Sequence, residues 1–458
     1  MKTKYIFLTF ITVLLFCASC EDMLKVKPSD VAYDQTSINP RDIIVDESTA
    51  QSAVLGMYSS LQGDNYYGQY MLVWGDLAAD VLEHTGTFPS NSEVDFNDVQ
   101  TSNVTIDGLW TNIYATISRA NNIIYAIPAV DNLDTYLQDL YLAEAHFVRG
   151  LAYFDLVKSF GGVPIINNPI LSMDDITRPE RNTVDEVYEQ VETDLQASMD
   201  YFTSYANDFG DDFYTEGRAN FYAAMALKAR VHLYQEEWEQ AMNYADSVIQ
   251  FSPFVLEPNY ADIFDYRKPT SQEIIFMVDF NSQDNNNLAF WFFNFPDGRH
   301  EYAPTKQLQL AYPIDDTTRY NYNIMEMDDG TLVATKYRDV SSGTDDVIIL
   351  RLTEMYFIRA EAALNGASYP DGTTTALQDI NTIRDRAAIR SLEKISLPLL
   401  LQEKMMEYAF EGHRWFDLTR VGRAEFFIST VESQNQYLWP IPQDERDVNP
   451  NLEQNPGY

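Results

Sequence analysis

The segment YLQDLYLAEAHFVRGLAYFDLVKSFGGVPII, residues 136–166, constrains the fold more than any other stretch of the chain. Leu140, Ala143, Phe147, Leu151 and Phe154 recur at helical spacing and form one apolar stripe. Tyr141, Ala145, Val148 and Ala152 form a second stripe beside it. A helix apolar over so wide an arc packs against at least two neighbours. Gly150 lowers helix propensity, and close approach by another helix is the use that fits it. Gly161 and Gly162 stop the helix, and Pro164 blocks its continuation. The segment predicts a central member of a layered helical array.

Helical signals recur along the chain. Ser48 as cap, then Ala53, Met57, Tyr58 and Leu61, predict a helix over 48–62. Leu109, Ile113, Ile117 and Ile124 predict one over 107–127, ended by Pro128, and Val184, Val187, Val191 and Leu195 one over 183–202. Residues 218–251 read as a helical hairpin broken between Glu236 and Glu239. Ala229, Ala241 and Pro253 have the spacing of small and terminating residues in a tetratricopeptide unit of about 34 residues. His232 stands where that unit has Tyr, so the pair is divergent. Ile349, Leu352, Tyr356, Ala360 and Ala363 predict a helix over 348–365, and Ala376, Ile380, Ile383 and Ala387 its return over 374–389. A last helix is expected over 399–420. The predicted pairs are 48–62 with 107–127, 136–160 with 183–202, 218–236 with 239–251, and 348–365 with 374–389.

Between these units the helical period disappears over 252–345. EIIFMVDF (273–280) and residues 332–338 read as short strands, and AFWFFNF sits among loop signals. A long apolar insertion of this kind is usually functional. The fold class is mainly α: four tetratricopeptide-like helix pairs as scaffold, with a long, irregular, partly β insertion. One domain is expected over 48–458, with scaffold over 48–251 and 346–422 and a Pro/Asn-rich tail, 423–458, lying extended over the body.

Residues 1–19 read as a processing segment. Lys2 and Lys4 precede an apolar run over 5–16, too short to span a bilayer. Ala18 and Ser19 then lead to Cys20, an order that resembles a bacterial lipoprotein signal with cleavage before Cys20 and acylation of it. Cys17 replaces the usual branched apolar residue, and its C-x-x-C pairing with Cys20 lacks a folded context. The mature chain then has neither free thiol nor disulfide, and residues 20–47 form a lipidated tether and N-terminal arm. Glu21 and Asp22 resemble the export signal that sends Bacteroidetes lipoproteins to the cell surface. No other run reaches the length of a membrane span, so the expectation is anchoring to the outer membrane without crossing it. The formal charge of −38 repels nucleic acid and disfavours sulfated or uronate-rich ligands, although acidity also serves solubility.

Few residues suggest chemistry. In EGHRWFDLTR, Glu411, His413, Arg414 and Asp417 cluster beside Phe410, Trp415 and Phe416. Arg414 and Asp417 are placed to pair at i,i+3, which makes a satisfied polar cluster the simpler reading. No His pair has H-x-x-x-H or H-E-x-x-H spacing, so no transition-metal site is expected. Asp76 and Asp80 do not nominate a glycosidase pair in a chain with 69 acidic residues. There is no G-x-S-x-G and no phosphate loop. No catalytic residue and no cofactor is therefore expected. Asp208, Asp211 and Asp212 in DFGDDFYTEG offer calcium ligands, without EF-hand spacing.

The lipoprotein start, RGLAYFDLVKSFGGVPI, LRLTEMYFIRAEAAL with NTIRDRAAI, EYAFEGHRWFDLTRVG, and LWPIPQDE with NPNLEQNPGY follow one another in an order that resembles the SusD/RagB family over nearly the whole chain. The resemblance implies a Bacteroidetes surface lipoprotein that sits over a SusC-like TonB-dependent outer-membrane transporter, binds nutrient oligomers and delivers them to it. It also implies an α-helical scaffold of four tetratricopeptide-like pairs with an irregular face carrying the ligand.

Sugars present apolar C–H faces and hydroxyl rims, met by aromatic platforms and by polar side chains. Two segments outside the helix pairs combine both. One, over 65–96, carries Tyr66, Tyr67, Tyr70, Trp74, His84 and Phe88; the other, over 286–302, carries Trp291, Phe293, Arg299 and Tyr302. Trp74 is either a platform or buried in its helix. Trp291 is either a platform or strand core, and alternation would put Trp291 and Phe293 opposite Phe292. The leading function is binding of a neutral glycan. Oligopeptide capture as in RagB-like members, a surface glycoside hydrolase and a protein-binding helical adaptor are the alternatives.

Overall fold

A computed structural model describes residues 39–172, 175–209, 217–265, 267, 270–294 and 296–458. The signal segment, Cys20, most of the tether, Asp211, Asp212 and the Asp208 side chain lie outside the described residues.

The scaffold helices are α1 (Glu47–Ser59), α2 (Val104–Ala126), α3 (Thr135–Phe160), α4 (Val184–Phe209), α5 (Phe221–Tyr234), α6 (Trp238–Phe251), α7 (Leu352–Leu364) and α8 (Ala376–Arg386). Each packs on the next, giving the four predicted pairs in sequence. Both stripes of α3 are buried. A Cβ on Gly150 would lie 3.2 Å from Leu195 Cδ2 on α4, so the glycine does admit a neighbouring helix. Gly161, at φ 76, ends α3.

Side-chain caps fix several starts. Asp46, not Ser48, caps α1 through a reciprocal box with Thr49. Asn103 caps α2, Asn220 caps α5 and Thr375 caps α8.

The strands are β1 (Leu82–His84), β2 (Ile274–Val278), β3 (Tyr302–Pro304), β4 (Ile324–Glu326), β5 (Leu332–Ala334) and β6 (Val347–Arg351). They form the antiparallel pairs β1–β3, β2–β6 and β4–β5. Helix α7 therefore starts at Leu352 rather than at 348. All five residues of β6 are buried, and a short run apolar on every side does not betray its period.

The expected final helix is two helices, Leu397–Glu407 and Arg414–Arg420. Phe410 (φ 69) and Gly412 (φ 74) turn the chain between them. This turn presses on the helix Tyr70–Leu77, where a Cβ on Gly75 would stand 2.1 Å from the Gly412 carbonyl oxygen.

The tail closes the end of α3 through short helical turns as well as extended chain. The Trp439 amide donates to Ser159 O at 2.8 Å, and Asn455 Nδ2 donates to Phe160 O at 3.0 Å.

A buried ion network ties the insertion to the C-terminal helices. Arg351 reaches Glu407 and Glu411 at 2.9 Å each, and Lys336 reaches Glu411 at 2.8 Å. Burial pushes the Glu407 carboxyl up, but Arg386, Arg351 and Arg319 outweigh that and hold it well below the usual range.

Candidate functional site

Pairing of β1 with β3 joins the two aromatic segments, with His84 opposite Tyr302. The carboxylate of Glu301 is the hub of the junction. Its Oε1 lies 2.9 Å from His84 Nε2 and accepts the Thr87 and Phe88 amides at 3.2 Å each. Its Oε2 meets Arg299 Nε at 3.2 Å. Gly86 leaves the room this needs, since a Cβ there would fall 2.0 Å from the carboxylate.

Above the hub the rings gather. Backbone bonds from Arg299 N to Phe290 O (2.8 Å) and from Glu301 N to Trp291 O (2.7 Å) fix the returning strand against the short helix Leu288–Phe292. The Arg299 guanidinium stands 4.4 Å from the Phe88 ring and 5.5 Å from the Trp291 ring. Trp291 meets Phe88 edge-on at 6.0 Å and Phe290 at 5.1 Å. Phe290 and Arg299 are exposed, while Phe88 and Trp291 are half-buried. This cluster is a solvent-facing aromatic surface with a fixed cation at its rim.

Trp291 lies in a helix, not a strand. Phe292 is nevertheless buried while Trp291 and Phe293 are half-buried, because residues of one helical turn also divide between core and solvent. Phe293 leads into an adjoining groove of about 500 Å³, also lined by Tyr320, Ile324, Met325, Thr335 and Arg338. Sequence reading missed Phe290 and this groove. Helical phase across LAFWF would have exposed Phe290; no local signal joins Tyr320 and Arg338 to the cluster.

The other candidates are buried or half-buried away from this surface. Trp74 is fully enclosed, with Nε1 donating to Asn91 Oδ1 at 3.3 Å and its ring edge-on to Trp439 at 5.5 Å. Tyr66 and Tyr67 are buried and donate to Asp155 Oδ2 at 2.6 and 2.7 Å. Tyr302 is buried, its hydroxyl accepting from Gln69 Nε2 and Asn91 Nδ2 at 3.0 and 2.8 Å. The His84 side chain is buried as well. Tyr70 is half-buried against Trp74. Tyr66, Tyr67, Trp74, His84 and Tyr302 thus present no stacking face in this conformation, whereas Trp291 and Arg299 do. Most of the rings that the two segments offered as platforms are thus drawn into the core.

Ser92 Oγ lies 2.8 Å from His84 Nδ1, so Ser92, His84 and Glu301 stand in the order of a hydrolytic triad. The Thr87 and Phe88 amides beside them are committed to Glu301 and do not form an oxyanion hole.

The EGHRWFDLTR cluster is satisfied, but not by the expected pair. Arg414 binds Asp80 at 2.7 Å, and Asp417 binds Lys404 at 2.5 Å and Arg420 at 2.8 Å. Arg414 and Asp417 share the helix Arg414–Arg420, yet each is taken by a closer partner. Asp76 accepts the Gly412 and Arg414 amides, and burial raises its carboxyl to about 7. Burial also holds His413, stacked on Tyr408 at 4.4 Å, well below the usual imidazole range.

Residues 30–233 match the SusD-like family model for starch-binding associating with outer membrane, and residues 306–427 and 421–458 match the SusD family model. The SusD-like protein P25 of Formosa agariphila is 25% identical, over 99% of this chain and 98% of that protein. Among solved structures, a laminarin binding SusD-like protein superposes with a TM-score of 0.79 at 20% identity, covering 90% of this chain and 100% of the other. Surface glycan-binding protein A from Bacteroides fluxus does so with a TM-score of 0.78 at 22% identity, with the same coverage. With its helical scaffold and these matches to both of its ends, the chain belongs to the SusD/RagB family.

Proposed function

We propose that this protein binds oligosaccharide or polysaccharide at the cell surface and delivers it to a SusC-like TonB-dependent outer-membrane transporter. The observation that carries the reading is the exposed cluster of Phe88, Phe290, Trp291 and Arg299 on its Glu301 hub. Its rings match the C–H faces of sugars, and Arg299 and Thr87 offer polar contacts at the rim. Family membership supports outer-membrane association, and the likeness to a laminarin-binding and a surface glycan-binding protein supports a carbohydrate ligand.

The ligand is a neutral glycan in this reading. The chain carries −38, and the cluster's guanidinium is already paired with Glu301. Attachment is through acylated Cys20. No helix among the described residues is long and apolar enough to cross a membrane, which fits an anchor rather than a helical span. The protein acts by binding, without catalysis.

Affinity electrophoresis across neutral, sulfated and uronate-rich polysaccharides tests this. Retardation by a neutral glycan, lost in Trp291→Ala, is expected. The reading fails if no glycan retards the protein and a peptide mixture is depleted instead. Release of reducing sugar on incubation would point to a hydrolase. Cys20→Ala is expected to move the protein out of the membrane fraction, and co-purification with the transporter tests delivery.

A further inference from the structure

We propose a second site, unrelated to the glycan surface: a divalent transition-metal position formed by Glu192, His232 and Glu237, where α4 meets the turn between α5 and α6. One ligand atom from each residue lies within 4.8 Å of the other two. Small rotations of the two carboxylate side chains would bring all three to the roughly 2.0–2.2 Å at which imidazole nitrogen and carboxylate oxygen bind zinc.

The arrangement is built by the backbone. Glu236 takes a left-handed conformation, φ 59, so the chain reverses just after His232. The Glu237 amide donates to His232 O at 2.8 Å, and the Glu237 carboxylate returns to within 2.7 Å of His232 Nδ1. The imidazole is buried and stacked on Tyr244, with centroids 5.2 Å apart and planes 9° apart, which fixes its orientation before any ion arrives. Glu192 comes from the neighbouring helix, and Gln235 Nε2 holds its Oε1. Outer hydrogen bonds of this kind orient metal ligands. Glu192 and Glu237 are both partly open to solvent, so an ion can enter.

One imidazole and two carboxylates suit zinc or a neighbouring first-row ion. Calcium and magnesium prefer all-oxygen shells. Paired-histidine spacing does not report this site, because one ligand sits on another helix and only one ligand is histidine. A bound ion would join the second helix pair to the third.

The test uses the full mature chain, tag-free and stripped with EDTA. Co²⁺ binding is followed by visible absorption, and Zn²⁺ binding by calorimetry and by Tm. One equivalent of Zn²⁺ is expected to bind and raise Tm, without competition from Ca²⁺ or Mg²⁺. His232→Ala and Glu192→Gln are each expected to weaken binding by more than roughly tenfold, since even outer-shell losses cost 10–100-fold. Glu192→Gln decides the matter if His232→Ala does not fold. Absence of one-equivalent binding, or equal affinity in wild type and Glu192→Gln, overturns the proposal. Loss of metal binding with glycan retardation intact is expected, so the two sites stand or fall separately.

Discussion

Glu301 Oε1 lies 2.9 Å from His84 Nε2, joining residues 217 positions apart in the chain. The same oxygen accepts the Thr87 and Phe88 amides, and the other oxygen holds Arg299. One buried carboxylate therefore shapes the loop under Phe88 and fixes the guanidinium above it. Glu301→Gln keeps the size but removes the charge and one acceptor. Stability should fall by about 1–3 kcal/mol, the cost of leaving buried partners unmet. Glycan affinity should fall with it, because Phe88 and Arg299 lose their common support. Urea denaturation and affinity electrophoresis measure the two effects. Unchanged affinity with lowered stability would separate the hub from the ligand.

Trp291 and Trp74 should respond in opposite ways. Trp291 is half-buried in the exposed cluster, so Trp291→Ala should weaken glycan binding by about 1–3 kcal/mol, taking stacking on nucleobases as the guide. Trp74 is fully enclosed between Asn91 and Trp439. Trp74→Ala should cost about 3–5 kcal/mol of stability through the cavity it leaves. Calorimetric binding and Tm, measured on both variants, separate the roles. A Trp74→Ala protein with native Tm and lost binding would reverse the assignment.

The scaffold was legible because α3 carries its packing in its own pattern: two adjacent stripes, a small residue where α4 crosses and a glycine stop. The ligand surface was legible only as composition. Tyr66, Tyr67, Trp74 and Trp291 look alike in sequence, and what separates them is that Asp155 and Asn91 take up the polar ends of the first three inside the core, whereas the Trp291 ring is left half-buried. Those partners come from distant segments, so no local period reports them. The Phe410–Gly412 break was hidden for the same reason. Apolar residues continue through it at nearly helical spacing, and only the approach of Gly75 gives the turn a purpose.

That approach predicts a contrast between two glycines. At Gly150 a Cβ would touch Leu195 Cδ2 at 3.2 Å, the flexible end of a side chain. Gly150→Ala should stay within about 1 kcal/mol of wild type, since helix propensity gained offsets a small repacking. At Gly75 a Cβ would stand 2.1 Å from the Gly412 carbonyl oxygen, in backbone that cannot yield alone. Gly75→Ala should cost at least about 1–3 kcal/mol, as overpacking does, and should displace the helix Tyr70–Leu77 that supports the aromatic surface. Denaturation midpoints rank the two, and equal midpoints would refute the close contact.

Stability should decline as pH rises toward neutrality. Burial raises Asp76 from the ordinary 3.8 to about 7 and Asp345 to about 6. Between about pH 4 and these values the folded chain holds protons that the unfolded chain has released. Unfolding then loses protons, so stability falls with increasing pH in that window, by up to about 1.4 kcal/mol per pH unit for each group. The net charge of −38 adds repulsion in the same direction. Glu407 and Asp417 are held well below the usual range, so their contribution is already present above about pH 4 and is lost only in stronger acid. Asp76→Asn removes one titration. The variant should be less stable at acid pH, because an amide offers one acceptor to two backbone amides, yet its stability should vary less between pH 5 and 7. Urea midpoints at half-unit pH steps read the slope, and parallel curves for the two proteins would show that Asp76 is ionised in the folded state across this range.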